Sequence, residues 1–141
     1  MNIAELRQRA ESGSIVAQST LGICYLDGID VEVDYQEAHQ FLSAAVERGA
    51  PRAAANLARM YAEGLGVPKS MDDAIRLYEL AANKGEFLAQ VALGRIYSRG
   101  ADVPTDPDVA LRWYSAAVGQ ENQVGDCEEL HESKLYLKNR I

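Results

Sequence analysis

Apolar and small residues recur along this chain with the spacing of amphipathic helices. In the middle of the chain, Ala53, Leu57 and Tyr61 are four residues apart, which places them on one face of a helix. Ala74 and Tyr78 begin a second face of the same kind, and a turn rich in glycine and proline lies between the two runs. The pattern therefore predicts a pair of helices, helix A and helix B, joined by a short turn.

The helix pair repeats every 36 residues without an insertion. The positions that keep this spacing include Ala17, Ala53 and Ala89; Leu21, Leu57 and Leu93; Tyr25, Tyr61 and Tyr97; Gly28, Gly64 and Gly100; and Ala38, Ala74 and Ala110. A constant period of this length is typical of helical repeats that stack to bury a shared core. The sequence therefore predicts an all-α fold.

The repeats divide the chain into three full units with a helix at each end, which we interpret as one domain of 141 residues. We expect an N-terminal capping helix in 1–13, repeats at 14–49, 50–85 and 86–119, and a C-terminal capping helix in 120–141. Within the last segment, 120–125 is expected to be a loop, and Asp126 is expected to cap a helix that has Glu129 three residues later.

Particular residues predict how the helices end and how they pack. Asp34 and Glu37 have the spacing of a capping box, in which each side chain accepts a bond from the other's backbone N–H. Gly22 and Gly94 lie inside helices A, where a glycine costs about 1 kcal/mol relative to alanine. We expect these glycines because helix B approaches helix A closely at both points.

The charge and composition of the chain exclude some classes of function. The net charge is −7, which argues against nucleic acid as a partner and suits a basic protein. Cys24 and Cys127 occupy unrelated repeat positions, so we expect two free thiols in a reduced compartment. The first ten residues lack the apolar core of a signal peptide, and no window is apolar enough to span a membrane. We expect a cytoplasmic protein without membrane contact.

The repeat pattern A-x-x-x-L-G-x-x-Y-x-x-G-x-x-V-P-x-D-x-x-x-A-x-x-W/Y-Y-x-x-A-A-x-x-G resembles that of the Sel-one-like repeat family, over about residues 14–119. Glu32 departs from the pattern by replacing a proline in the first A–B turn. The resemblance implies a right-handed α/α superhelical solenoid related to tetratricopeptide repeats. It also implies a bacterial scaffold or adaptor that binds a protein or peptide in its concave groove.

The resemblance further implies which residues of helices A line that groove. They are Val16, Ser19, Ile23, Leu26 and Asp27; Arg52, Ala55, Arg59, Ala62 and Glu63; and Leu88, Val91, Arg95, Ser98 and Arg99. Among these we assign partner binding to Arg52, Arg59, Arg95, Arg99 and Ile23, and we add Asn56 as a reader of the partner's backbone.

Four arginines on the wall of a groove favour an acidic peptide, since the guanidinium group pairs well with carboxylates. Val16 and Ile23 make the first-repeat end of the groove apolar. In the alternative interpretation, Arg59 pairs with Glu63 one helical turn later, and Arg95 and Arg99 belong to a solvated face. The residues alone leave both interpretations open.

The leading hypothesis is a non-catalytic protein-binding scaffold, monomeric or weakly dimeric, without a cofactor. An immunity or antitoxin protein that neutralises a basic effector is an alternative compatible with the charge, and a structural piece of a longer solenoid is another. A β-lactam-binding or hydrolysing enzyme is the rival from a different class, but the family members concerned have a disulfide in each repeat. His39 and His131 lie on separate elements without partners at ligand spacing, so we expect no metal site.

Overall fold

The structure, a computed structural model, describes residues 2–140, and within that range it contains nine helices and no strand. The all-α fold class is therefore confirmed. The helices are α1 (Ile3–Glu11), α2 (Ile15–Asp27), α3 (Tyr35–Glu47), α4 (Pro51–Glu63), α5 (Met71–Asn83), α6 (Phe87–Arg99), α7 (Pro107–Val118), α8 (Glu121–Val124) and α9 (Glu128–Asn139). The helices A of the three repeats are α2, α4 and α6, and the helices B are α3, α5 and α7.

The described chain forms two compact units, Met1–Leu77 and Tyr78–Ile141. In the first unit, α1 packs on α2, α2 on α3, and α3 on α4. Leu42, Leu57 and Met60 lie in the main core cluster of this unit and are at most 5% exposed. Leu21 and Phe41 form a second cluster with the apolar face of α1. The opening helix thus covers one end of the first repeat.

In the second unit, α6 packs on α7, and α9 packs on both. The core cluster here contains Val91 from α6, Tyr114 from α7 and Leu130 from α9, all at most 3% exposed. The C-terminal helix therefore completes the core of this unit.

Two glycines inside helices A allow close contact with helix B. A Cβ atom at Gly22 would lie 2.6 Å from Leu42 Cγ, and one at Gly94 would lie 2.8 Å from the ring of Tyr114. Both distances are shorter than a carbon–carbon contact allows. The expectation that these glycines serve helix packing is confirmed.

Of the two hydrogen bonds expected in the capping box of the first helix B, the described residues form one. The Asp34 side chain accepts bonds from the backbone N–H groups of the first turn of α3, as predicted. The reciprocal bond from Glu37 is absent from the described contacts, because the Asp34 N–H donates to the carbonyl of Tyr25 at 2.9 Å. Glu37 instead accepts a bond of 3.2 Å from Arg7, whose guanidinium also donates to the Tyr25 hydroxyl at 2.6 Å. Glu37 therefore helps to hold α1.

The bond to the tyrosine carbonyl recurs in every repeat. The backbone N–H of Ser70 donates to Tyr61 at 2.9 Å, and that of Asp106 donates to Tyr97 at 2.9 Å. The residue that precedes each helix B is thus tied through its main chain to the helix A before it.

The prediction for the segment after the third repeat was wrong in two details. Residues 121–124 form the short helix α8, where a loop was expected. The N-cap of α9 is Cys127, which makes no side-chain capping bond, and not Asp126. The Asp126 carboxylate instead contacts the ring of His131, one turn into the helix.

Candidate functional site

Each helix A places four side chains at matching positions on one face, spaced by four, three and four residues. We call this set the helix-A stripe; it comprises Val16, Thr20, Ile23 and Asp27 on α2, Arg52, Asn56, Arg59 and Glu63 on α4, and Leu88, Ala92, Arg95 and Arg99 on α6. All twelve are exposed or half-buried except Ile23, which is 8% exposed. The α2 and α4 parts of the stripe belong to the first unit, and the α6 part belongs to the second.

Several residues that the family resemblance assigned to the groove lining are buried. Ile23 and Leu26 belong to the core cluster that contains Leu57, and Val91 belongs to the core of the second unit. Ser19 and Ala55 are each 8% exposed. These side chains face neighbouring helices, so the accessible face of helix A is narrower than the resemblance implies, and Ile23 is a core residue.

Arg59 is paired in a way that neither interpretation of the sequence anticipated. Its guanidinium Nη2 donates to the carboxylate of Asp27, on the neighbouring helix α2, and no bond to Glu63 is found in the described part of the chain. Both paired side chains are about one-third exposed. The pair neutralises Arg59 on the stripe and links the first two helices A.

Arg95 is held by the C-terminal helix of its own unit. Its Nε lies 2.7 Å from Oε2 of Glu132 and its Nη2 lies 2.6 Å from Oε1, an arrangement in which two parallel bonds join the groups. The Tyr114 hydroxyl donates to the same carboxylate at 3.0 Å. Sequence reasoning missed Glu132 because α9 lies outside the 36-residue register, so no repeat position predicted its partner.

This contact perturbs the pKa of each group in it. The bonds from Arg95 hold the pKa of Glu132 below its usual value, and the bond to Glu132 raises the pKa of Arg95. Burial raises the pKa of Tyr114 to about 12. Tyr114 therefore stays a neutral hydrogen-bond donor, and Glu132 stays ionised at neutral pH.

The remaining site residues are more accessible. The Arg52 side chain is exposed and makes no ion pair among the described residues, and its backbone carbonyl accepts a bond of 2.9 Å from the Asn56 amide. Arg99 is exposed and lines a cavity of about 170 Å³ beside Arg95. Within each unit, therefore, one arginine of the stripe is paired with a carboxylate, Arg59 with Asp27 and Arg95 with Glu132.

Other candidate chemistry is limited within residues 2–140. No three His, Cys, Asp or Glu side chains in this range are grouped so that they could hold a metal ion. His39 Nε2 lies 3.2 Å from the Tyr61 hydroxyl. Cys24 and Cys127 are free, and burial raises the pKa of Cys24. None of the described helices has the length and apolar character needed to cross a membrane.

A family model recognises the three repeats of the chain. The model of the Sel1 repeat matches three segments of the chain, residues 15–49, 51–86 and 88–122. The chain belongs to the Sel1 repeat family. The resemblance inferred from the repeat pattern is confirmed, and with it the fold class, a solenoid of helical repeats.

Two solved structures are similar to this Sel1 repeat protein. A Sel1 repeat protein from Oxalobacter formigenes is 38% identical with a TM-score of 0.76, and the match covers 96% of both chains. The protein c5321, described as a protective antigen of uropathogenic Escherichia coli strains with an SLR fold, is 25% identical with a TM-score of 0.80. That match covers 96% of this chain and 32% of c5321. No curated protein matches the chain.

Sel1 repeat proteins are generally scaffolds for protein–protein interaction and are typically non-catalytic.

Proposed function

We propose that this Sel1 repeat protein is a non-catalytic scaffold that binds a segment of a partner protein on the helix-A stripe of its first unit, mainly on α4. The observation that carries the proposal is the restricted surface of α4. Six of its thirteen residues are buried, and Arg52, Asn56, Arg59 and Glu63 lie along the side that stays accessible. A partner that contacts α4 meets these four side chains first.

The residue types at these positions differ between repeats, whereas several core positions keep one residue type, as Leu21, Leu57 and Leu93 do. Where α4 has Arg52 and Asn56, the first repeat has Val16 and Thr20. Packing requires similar residues in each repeat, so variation on an accessible stripe favours recognition of a specific partner.

The charges on α4 favour a carboxylate from the partner near Arg52. Asp27 already neutralises Arg59, whereas Arg52 makes no ion pair among the described residues. The Asn56 amide group donates to the Arg52 carbonyl, which leaves its side-chain oxygen to accept a bond from a partner's backbone N–H. Arg52 and Asn56 are therefore the proposed contact residues.

Arg95 and Arg99 take a smaller part in this proposal than the sequence indicated. Glu132 already occupies the guanidinium of Arg95 through two bonds. A partner carboxylate would have to displace Glu132 from that site, which makes Arg99 the accessible cation on α6. The contact between Arg95 and Glu132 illustrates how an arginine of the stripe binds a carboxylate from a helix.

A basic partner, as in an immunity or antitoxin protein, is the second candidate. The turn between α2 and α3 carries two exposed acidic residues, Asp30 and Glu32, besides the helix cap Asp34. An effector with a basic surface would dock at this turn and at the other acidic surfaces of a chain whose net charge is −7.

The test is affinity capture from the native cell's lysate at low and high salt, followed by mass spectrometry. We compare the wild-type chain with the Arg52→Glu, Asn56→Ala double variant and with Arg76→Glu, a reversal of charge at an exposed position on α5. We expect one stoichiometric partner that the double variant loses and Arg76→Glu retains. Equal capture by all three chains contradicts the assignment to α4, and a basic partner retained by the double variant favours the second candidate.

A further inference from the structure

We propose that a cleft in the first unit binds an acidic–apolar motif of the partner, in which a large apolar side chain lies next to a carboxylate. This inference rests on the proposed function and names the chemistry of the partner. The cleft lies between the first turn of α2 and the corner that joins α3 to α4. Its walls include Ile15 and Val16 on one side and Ala50 and Pro51 on the other, with Arg48 and Arg52 beside them.

Ile15, Val16, Ala50 and Pro51 give the cleft a largely apolar lining, and the cleft is large enough for more than one side chain. Val16 is 75% exposed, the highest value among the large hydrophobic residues that the structure describes. The volume of the cleft is about 460 Å³, which lies in the range of ligand-binding pockets. An exposed valine beside a concave surface favours burial of an apolar side chain from a partner.

The charge of the cleft is opposite to that of the chain as a whole. The chain carries 21 acidic and 14 basic residues, yet the lining of the cleft contains two arginines and no acidic residue. Arg48 donates to the carbonyl of Gly13, which fixes its position, and its charge is not balanced by that neutral acceptor. Arg52 makes no ion pair among the described residues.

The apolar lining and the two arginines together favour one class of partner segment. A cationic segment would be repelled by both arginines, and a second copy of a chain with a net charge of −7 carries a general repulsion. A segment with an acidic residue beside a leucine or isoleucine can pair its carboxylate with the arginines and bury its apolar side chain against the apolar lining. The cleft is therefore a docking site for a partner protein of that composition.

Titrations followed by NMR test this proposal, with the full ¹⁵N-labelled chain and four synthetic dodecapeptides as probes. The peptides combine leucine or serine with glutamate or lysine, so that apolar character and charge vary independently. We expect the leucine–glutamate peptide to bind and to shift the backbone amide signals of Val16 and Arg52. The binding should weaken as salt is added.

Matched variants separate the cleft from the rest of the helix-A stripe. Val16→Asp and Arg52→Glu should each weaken binding of the leucine–glutamate peptide by about tenfold or more. Leu88→Asp is the control, because Leu88 is the same register position on α6 and is 53% exposed. It should leave the dissociation constant unchanged. Circular dichroism should show the same helix content in all three variants.

Several results would overturn the proposal. Tighter binding of the leucine–lysine peptide would show that the cleft does not select an acidic motif, and the absence of any shift with all four peptides would show that it binds none of these motifs. Shifts confined to Asn56 and Glu63 would support the proposed function while excluding the cleft. If Val16→Asp abolished a dimer detected by sedimentation, the cleft would be an interface between two copies.

Discussion

The contact between Arg95 and Glu132 provides a sharp test of how the C-terminal helix is held. We predict that Glu132→Gln lowers the free energy of unfolding of the second unit, because the carboxylate accepts hydrogen bonds from the side chains of both Arg95 and Tyr114. The substitution preserves the shape of the side chain and removes only its charge and part of its capacity to accept hydrogen bonds.

The expected magnitude is about 1–2 kcal/mol. A hydrogen bond to a charged group contributes about 1.5–3 kcal/mol, and the glutamine retains part of the bonding. The side chains of Glu132 and Arg95 are 30% and 36% exposed, so solvent screening reduces the contribution further. Urea denaturation followed by the fluorescence of Trp113 measures the loss, since Trp113 is the only tryptophan of the chain and lies on α7.

The pH dependence distinguishes the ion pair from a packing effect. Because the bonds from Arg95 lower the pKa of Glu132, the stabilisation is present above the pKa of the unfolded carboxyl, about 4.3. It is lost as the pH falls through the lower pKa of the folded state. The difference between wild type and Glu132→Gln should therefore be largest near pH 7 and shrink below about pH 4.

The control is Glu128→Gln, which changes the same charge at an exposed position on α9 whose side chain forms no hydrogen bond with the residues described. We expect it to cost about 0.3–0.5 kcal/mol, because an exposed carboxylate in the first turn of a helix interacts only weakly with the helix dipole. An equal loss in the two variants, or a loss for Glu132→Gln that does not vary between pH 3 and pH 7, would refute the role assigned to the ion pair.

Three further predictions concern the first unit. Gly22→Ala should destabilise by about 1–2 kcal/mol in urea, because its Cβ would lie 2.6 Å from Leu42 Cγ and overpacking outweighs the gain in helix propensity. Leu57→Asp should abolish the helical circular dichroism signal, because it places an unpaired charge at a position 5% exposed. Arg7→Met should speed amide hydrogen exchange in α1 by about fivefold, because α1 loses the bond to the Tyr25 hydroxyl.

Each of these variants has a control at an exposed position. They are Thr20→Ala for the glycine, Leu88→Asp for the buried leucine and Arg9→Met for the arginine. If Gly22→Ala stabilised the chain, the helix contact would be looser than described. A folded Leu57→Asp chain would contradict the repeat register, and unchanged exchange in α1 would mean that Arg7 does not hold that helix.

The helices were predictable because they depend on residues that recur every 36 positions. Leu57 has a leucine at the equivalent position of the other two repeats, and Gly22 and Gly94 lie at equivalent positions of the first and third helices A. The pattern alone therefore identifies them as packing residues. The capping box failed because the expected donor, the Asp34 N–H, binds a carbonyl from a different helix. Local spacing carries no information about such a competitor.

The candidate site was predicted less well, for the same reason. Sequence spacing placed Arg52, Arg59 and Glu63 on one face of α4, and the structure agrees. The partners of Arg59 and Arg95 could not be predicted, since Asp27 and Glu132 lie 32 and 37 residues away along the chain. Tertiary packing determines which of the available carboxylates each arginine meets.

The main-chain bond that joins the start of each helix B to a tyrosine carbonyl has an evolutionary consequence. The bond spans nine residues in each repeat, and it depends on no side chain. The three six-residue turns inside it, at 28–33, 64–69 and 100–105, share a glycine at the first position and a valine at the fourth and vary at the other four. Because the bond uses main-chain atoms only, the variable positions of each turn can change residue type while the helix pairs stay in register.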